Sequence, residues 1–169
     1  MEQAEKTLII LGGANDSGKS TLAHLLLQKD TVDFLNADEI AGEFSASHYR
    51  SNVIQGLAGR EYIHRKKMLF RENRSFILET TLSGRIILKT MREAKEQGYS
   101  ITLVYSFLAN SLACIKRVKK RVVNGGHDVP EADITRRYFR SIVNFWNDCR
   151  PLSDRWFLFY NGLTTVPPR

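Results

Sequence analysis

Cysteine is scarce. Cys114 and Cys149 are the two in 169 residues, and they stand neither in a CxxC pair nor at metal-ligand spacing. That excludes a disulfide-stapled scaffold and a structural zinc site, and leaves two reduced, partly buried thiols as the expectation. Long apolar runs are missing too. Runs such as Leu8–Leu11 and Leu22–Leu27 are short or interrupted, well below the roughly 20 residues that span a bilayer. No charged-then-apolar leader precedes Thr7, so a cytoplasmic protein without membrane attachment is expected. Repeats, linkers and low-complexity stretches are absent as well. The chain therefore reads as one domain over 1–169, with 164–169 as a loose tail.

What is present is basic. The net charge is +7, and Arg117, Lys119, Lys120, Arg121, Arg136, Arg137 and Arg140 crowd into the C-terminal half. They flank one loop instead of forming a tail, which favours a phosphate-rich small ligand over nucleic acid or an acidic membrane. No aromatic-interleaved RNA-binding signature accompanies them, although a phosphorylated RNA substrate stays open.

Strand and helix patterns alternate. Thr7–Leu11 is continuously apolar and β-branched, as in a parallel strand buried on both faces. Thr21–Leu27 has helical spacing. Val32–Leu35, Ser75–Leu78, Ile101–Phe107 and Trp156–Tyr160 supply four more strands. Helices are expected over Arg85–Gln97, from an Asn110 cap through Val123, and from a capping pattern of Asp128 and Glu131 around Pro130. The last of these would bury Ile134, Tyr138, Ile142 and Phe145 or Trp146. Between Ile40 and Asn73 a helix is legible from Tyr62 onward. The order implies an α/β fold: a mostly parallel five-stranded sheet with helices on both faces.

Gly13-Ala14-Asn15-Asp16-Ser17-Gly18-Lys19-Ser20 matches G-x-x-x-x-G-K-[ST], between a buried strand and an apolar helix. Glycines there let successive backbone N–H groups turn toward phosphate oxygens, and the helix start adds its positive dipole end. Lys19 is expected on the β- and γ-phosphates and Ser20 on Mg²⁺, with Thr21 completing the nucleotide site. ATP or GTP would be the phosphoryl donor.

Asn36-Ala37-Asp38 follows the second strand, at the sheet edge where such folds bind ligands. Asp38 is the candidate base for an acceptor hydroxyl, and also a candidate helix cap for Glu39–Phe44. Glu79-Thr80-Thr81 is expected in the equivalent place after the third strand. Glu79 could meet the acceptor or the Mg²⁺ hydration shell, and Thr80 and Thr81 could offer hydroxyls. Arg117 and Arg121, four apart, share a helix face leading into Asn124-Gly125-Gly126-His127, a loop suited to closing over a nucleotide. Arg136 and Arg140 repeat the spacing beyond it. Together they suggest an anion-clamping lid over about 117–140; His127 carries little weight on its own.

This ordered series resembles the zeta toxin family of P-loop kinases, over Thr7 to about Tyr160. The distinguishing residues are the phosphate loop, Asn36-Ala37-Asp38, Glu79-Thr80-Thr81, Gly125–Pro130 and Ile134–Tyr138. Several members phosphorylate UDP-N-acetylglucosamine on the sugar 3′-hydroxyl. The resemblance implies Asp38 as base, Lys19 on phosphate, Glu79 near the substrate and Arg117 in the lid, with Arg121 as a second lid arginine. A toxin-like member would be expected to have an antitoxin protein. The family's loop often has Pro-Gly where this one has Asn15-Asp16. Rival readings are a kinase for another sugar, an antibiotic or a nucleoside, a nucleotide-dependent regulatory module, and a 5′-RNA or DNA kinase.

Overall fold

The Thr7–Gly12 run, whose side chains are nearly all apolar, forms β1, the central strand of a five-stranded sheet ordered β2-β3-β1-β4-β5. The computed structural model describes residues 5–27, 32–44 and 51–162. The expected loose tail, 164–169, lies outside them. The elements are α1 (Lys19–Leu27), β2 (Asp33–Leu35), α2 (Ala37–Phe44), α3 (Ser51–Arg71), β3 (Phe76–Thr80) and α4 (Ile86–Glu96). Then come β4 (Ser100–Phe107), α5 (Ser111–Val123), α6 (Glu131–Asn144) and β5 (Arg155–Tyr160). All four strand pairings are parallel, as crossover helices between consecutive strands require. No helix among the described residues is long and apolar enough to cross a membrane.

Because β1, β3 and β4 bury both faces, their apolar residues divide between two cores. Leu8, Ile10, Phe76, Leu78, Leu103 and Tyr105 pack under α2, α3 and α4. Leu11 and Ile77 meet Ala23 of α1 on the opposite face. A third cluster, Cys114, Ile115, Val118, Ile134 and Tyr138, joins α5 to α6.

Several expected boundaries move. β3 runs to Thr80, so Glu79 and Thr80 end the strand, opposite Leu11 and Gly12, instead of following it. α3 begins at Ser51, eleven residues before the helical signal; this stretch is polar and interrupted by Gly56 and Gly59. The cap of α2 is Asn36, whose Oδ1 accepts from the Asp38 and Glu39 amides at 2.8 and 3.4 Å. Asp38 is thereby released from capping. Asn110 caps α5 as expected, accepting from the Ala113 amide at 2.9 Å. The Asp128–Glu131 capping pattern does not form: Pro130 precedes α6 without a side-chain cap, and Asp128 accepts from the Val129 amide. After α6 a widened π turn over Phe145–Cys149 buries Phe145 and Cys149 and leaves Trp146 exposed.

Candidate functional site

The loop between β1 and α1 is held by close packing. Gly13 has φ +146°, and a Cβ there would stand 2.1 Å from the Ser106 carbonyl oxygen. Gly18 has φ +100°, and its Cβ would stand 1.9 Å from Asn161 Nδ2. Neither position accepts a side chain. The Ser17 carbonyl accepts from Ser106 Oγ at 2.7 Å and from Asn161 Nδ2 at 3.0 Å, tying the loop to the ends of β4 and β5. Ala14 and Ser17 are buried in this support.

Lys19 is buried at the start of α1. Its Nζ donates to the Ala14 carbonyl at 2.8 Å and lies 3.7 Å from Glu79 Oε1. Burial pushes the Lys19 ammonium below its ordinary range, opposed by the Glu79, Asp16 and Asp38 carboxylates. Burial pushes the Glu79 carboxyl up, opposed by Lys19 and by the Ser20 hydroxyl. Each member of this pair is stable as an ion chiefly because of the other. Ser20 Oγ donates to Glu79 Oε2 at 2.9 Å, and Asn36 Nδ2 donates to the same oxygen at 3.1 Å.

The two α5 arginines reach across to the loop. Arg117 donates to the Asn161 carbonyl at 2.6 Å and to the Asp16 carbonyl at 3.4 Å. Arg121 pairs with Asp16 Oδ1 at 2.5 Å and donates to the His127 carbonyl at 2.8 Å. Asp16 holds φ 53°, a left-handed conformation that aspartate tolerates better than most residues. Two buried polar atoms flank this junction, Ser17 Oγ and Arg121 Nε, and neither finds a partner among the described residues.

A cavity of about 590 Å³ joins these groups. Asn15, Asp16, Gly18, Lys19, Ser20 and Thr21 form one wall, and Arg117 and Arg121 close one side. Asp38, Glu79, Thr80 and Thr81 line it as well. Thr80 Oγ1 accepts from the Leu82 amide at 3.2 Å, and the Thr81 and Ser83 hydroxyls share a hydrogen bond of 2.8 Å.

Arg136 and Arg140 are not brought to this cavity. Arg136 donates to Asp133 Oδ1 at 2.7 Å on the exposed face of α6. It is Arg137, between them, that approaches the loop, 3.5 Å from Asn15 Oδ1. Three lining residues carried no sequence signal as site residues: Tyr62 from α3, Ile86 at the start of α4, and Asn161 after β5. Burial pushes the Tyr62 phenol up to about 12, so it enters the cavity wall as a neutral hydroxyl at any physiological pH.

Residues 8–139 match the family AAA_33, described as an AAA domain. An uncharacterized protein of Haemophilus influenzae is 34% identical over 127 residues, covering 75% of this chain and 88% of that protein. Among solved structures, the fold is similar to that of a kinase candidate from Chloroflexus aurantiacus (TM-score 0.70, 17% identity, 94% of this chain and 89% of that one). It is similar to a chain of the PezAT chromosomal toxin–antitoxin system of Streptococcus pneumoniae (TM-score 0.65, 15% identity, 94% and 68%). It is also similar to a chain of the AvrRxo1-ORF1:-ORF2 complex with ATP (TM-score 0.70, 17% identity, 94% and 55%). At these identities the likeness is one of fold. The chain belongs to the AAA_33 family of AAA domains and has a P-loop kinase-like α/β fold.

Proposed function

We propose that this protein is a zeta-toxin-like kinase that transfers the γ-phosphate of ATP or GTP to a hydroxyl of a small molecule, with UDP-N-acetylglucosamine the first acceptor to test. One observation carries the reading: a single cavity is lined by Lys19 and Ser20, by two arginines, and by a carboxylate, Asp38, that caps nothing. A nucleotide switch needs the loop but has no use for a free carboxylate facing it. The P-loop family and the ATP named with one structural neighbour support the donor.

In this reading the loop amides and Lys19 take the nucleotide phosphates. Lys19 then exchanges its bond to the Ala14 carbonyl for phosphate oxygens. Asp38 orients the acceptor hydroxyl and accepts its proton as the new P–O bond forms and the β–γ bridge breaks, leaving a nucleoside diphosphate. Arg117 and Arg121 meet charge on the transferring group. Mg²⁺ fits the oxygen chemistry of Ser20 and Glu79, which converge at 2.9 Å. It would neutralise phosphate charge there, with Ser20 as its ligand and Glu79 beside its hydration shell.

The test is incubation with Mg²⁺-ATP or Mg²⁺-GTP against sugar nucleotides, free sugars and nucleosides, read by mass spectrometry for products heavier by one phosphate. A phosphorylated UDP-N-acetylglucosamine is the expected result. Another phosphorylated acceptor keeps the kinase and replaces the substrate. Nucleotide binding without any acceptor product removes the kinase reading.

A further inference from the structure

The sheet has two edges of opposite character. β2 is three residues long, and its Asp33 is ion-paired to Arg74 at 2.7 Å. A short, charged edge resists pairing with another chain. β5 is six residues long, and from Trp156 to Tyr160 it carries no charge, glycine or proline. All six of its residues are exposed.

Both faces of β5 are open. Trp156, Leu158 and Tyr160 share a face with Leu103, Tyr105 and Phe107 of β4, and Phe157 shares the other with Val104. On the first face the apolar surface continues onto α6. The link is Trp146 of the π turn, which meets Trp156 edge to face at 6.0 Å, with the Arg150 guanidinium 5.1 and 5.9 Å from the two ring centroids. Val143 and Phe139 lie three and seven residues before Trp146, on the same side of the helix. Phe139, Val143, Trp146 and the five residues from Trp156 to Tyr160, eight side chains over the two faces of the edge, are 38–59% exposed. An aromatic side chain offers about 150–250 Å², so the surface is on the order of 700 Å² per chain. That approaches the roughly 800 Å² per partner of a standard interface.

We infer that β5 and the adjoining stripe of α6 form a two-fold interface with a second copy of this chain, the two β5 strands pairing antiparallel into one ten-stranded sheet. A two-fold axis normal to the sheet keeps each side chain on its own face. Centred on Leu158, it sets Trp156 against the partner's Tyr160 and Phe157 against the partner's Phe159. Arg155 then faces the partner's Asn161, so the edge cations are not opposed despite the basic net charge. Such pairing is isologous and closed; both strong edges are consumed, and the short β2 edges become the outer ones.

Sedimentation of the full chain from about 1 to 100 µM, the weaker end of standard interfaces, tests this. The expected result is a dimer of 19.4 kDa chains. Phe157→Glu at the edge and Phe139→Glu on the helix each shift it to monomer while circular dichroism is unchanged. In the wild type, hydrogen exchange at the outward-facing β5 amides slows as concentration rises. A wild type that stays monomeric throughout overturns the proposal, as does a dimer that survives both substitutions. A monomer whose β5 instead takes up an acidic strand peptide or an oligonucleotide also overturns it.

Discussion

The Ser20 hydroxyl donates to Glu79 Oε2 at 2.9 Å, linking the first turn of α1 to the end of β3 across 59 residues. Lys19 meets the other oxygen of the same carboxylate at 3.7 Å. One part-buried carboxylate therefore contacts both residues expected to handle the nucleotide's phosphates and metal. Glu79→Gln keeps the shape and removes the charge. Loss of an orienting partner of this kind commonly costs about 10–100-fold in metal affinity or activity. The variant should lose turnover in that range at limiting Mg²⁺ and regain part of it as Mg²⁺ is raised. An unchanged Mg²⁺ dependence would reduce Glu79 to a structural hydrogen-bonding residue.

Lys19→Met tests the same pair from the other side. Without the ammonium, burial drives the Glu79 carboxyl further above its ordinary value, since its largest opposing influence is gone. A carboxyl raised in the folded state holds its proton where the unfolded chain has released it. Stability from this group is complete below the unfolded value, about 4.3, and falls as pH rises toward the raised folded value. The melting temperature of Lys19→Met, relative to wild type, should drop progressively as pH rises above about 4. Parallel profiles for the two proteins would break the electrostatic account. Nucleotide-dependent stabilisation should vanish in the variant at every pH.

How much of this was legible depended on distance along the chain. The phosphate loop was readable because its requirements are local: glycines at Gly13 and Gly18, both with positive φ, then a helix start. The parallel sheet followed from alternation, since strands separated by helices are joined by crossovers, whereas the strand order came from the structure. α3 resisted because seven of its first eleven residues are polar or glycine, which masks the helical spacing of Val53, Ile54, Leu57 and Ala58. Asp38 was found, but its freedom was not. That depended on Asn36 taking the cap, a choice between two residues that both cap well. Tyr62 and Asn161 reach the site through tertiary packing alone. Arg136 shows the converse: its spacing from Asp133 already offered a local partner, and that pairing took it from the lid.

Asp38→Asn separates binding from transfer. The residue is exposed at the cavity and its backbone amide, not its carboxylate, makes the capping contact. Folding and nucleotide affinity should therefore match the wild type. Proton transfer by a positioned side chain typically contributes 10²–10⁴, so phosphorylation of the acceptor should fall by about that factor. The measurement is single-turnover transfer alongside nucleotide titration. Full transfer by the variant would remove Asp38 from the chemistry and send the search for a base back to Glu79.

The Arg121–Asp16 pair makes the last prediction, and it turns on sign. The pair is partly exposed and its guanidinium also holds the His127 carbonyl, so Arg121 is committed to the protein while the phosphate loop is bare. A nucleotide must compete with Asp16 for that guanidinium, and Asp16 itself opposes an incoming phosphate. Asp16→Asn relieves both effects, so nucleotide should bind several-fold more tightly. Arg121→Gln should weaken it. The effects cannot be independent if the two groups are rivals for one another: once Arg121 is gone, removing the Asp16 charge still eases phosphate binding but frees no guanidinium. The double variant should depart from additivity by about 0.5–3 kcal/mol, the range for groups in direct contact. Additivity within about 0.3 kcal/mol would mean that Arg121 does not leave Asp16 for phosphate, and that the lid arginine acting on the nucleotide is Arg117 alone.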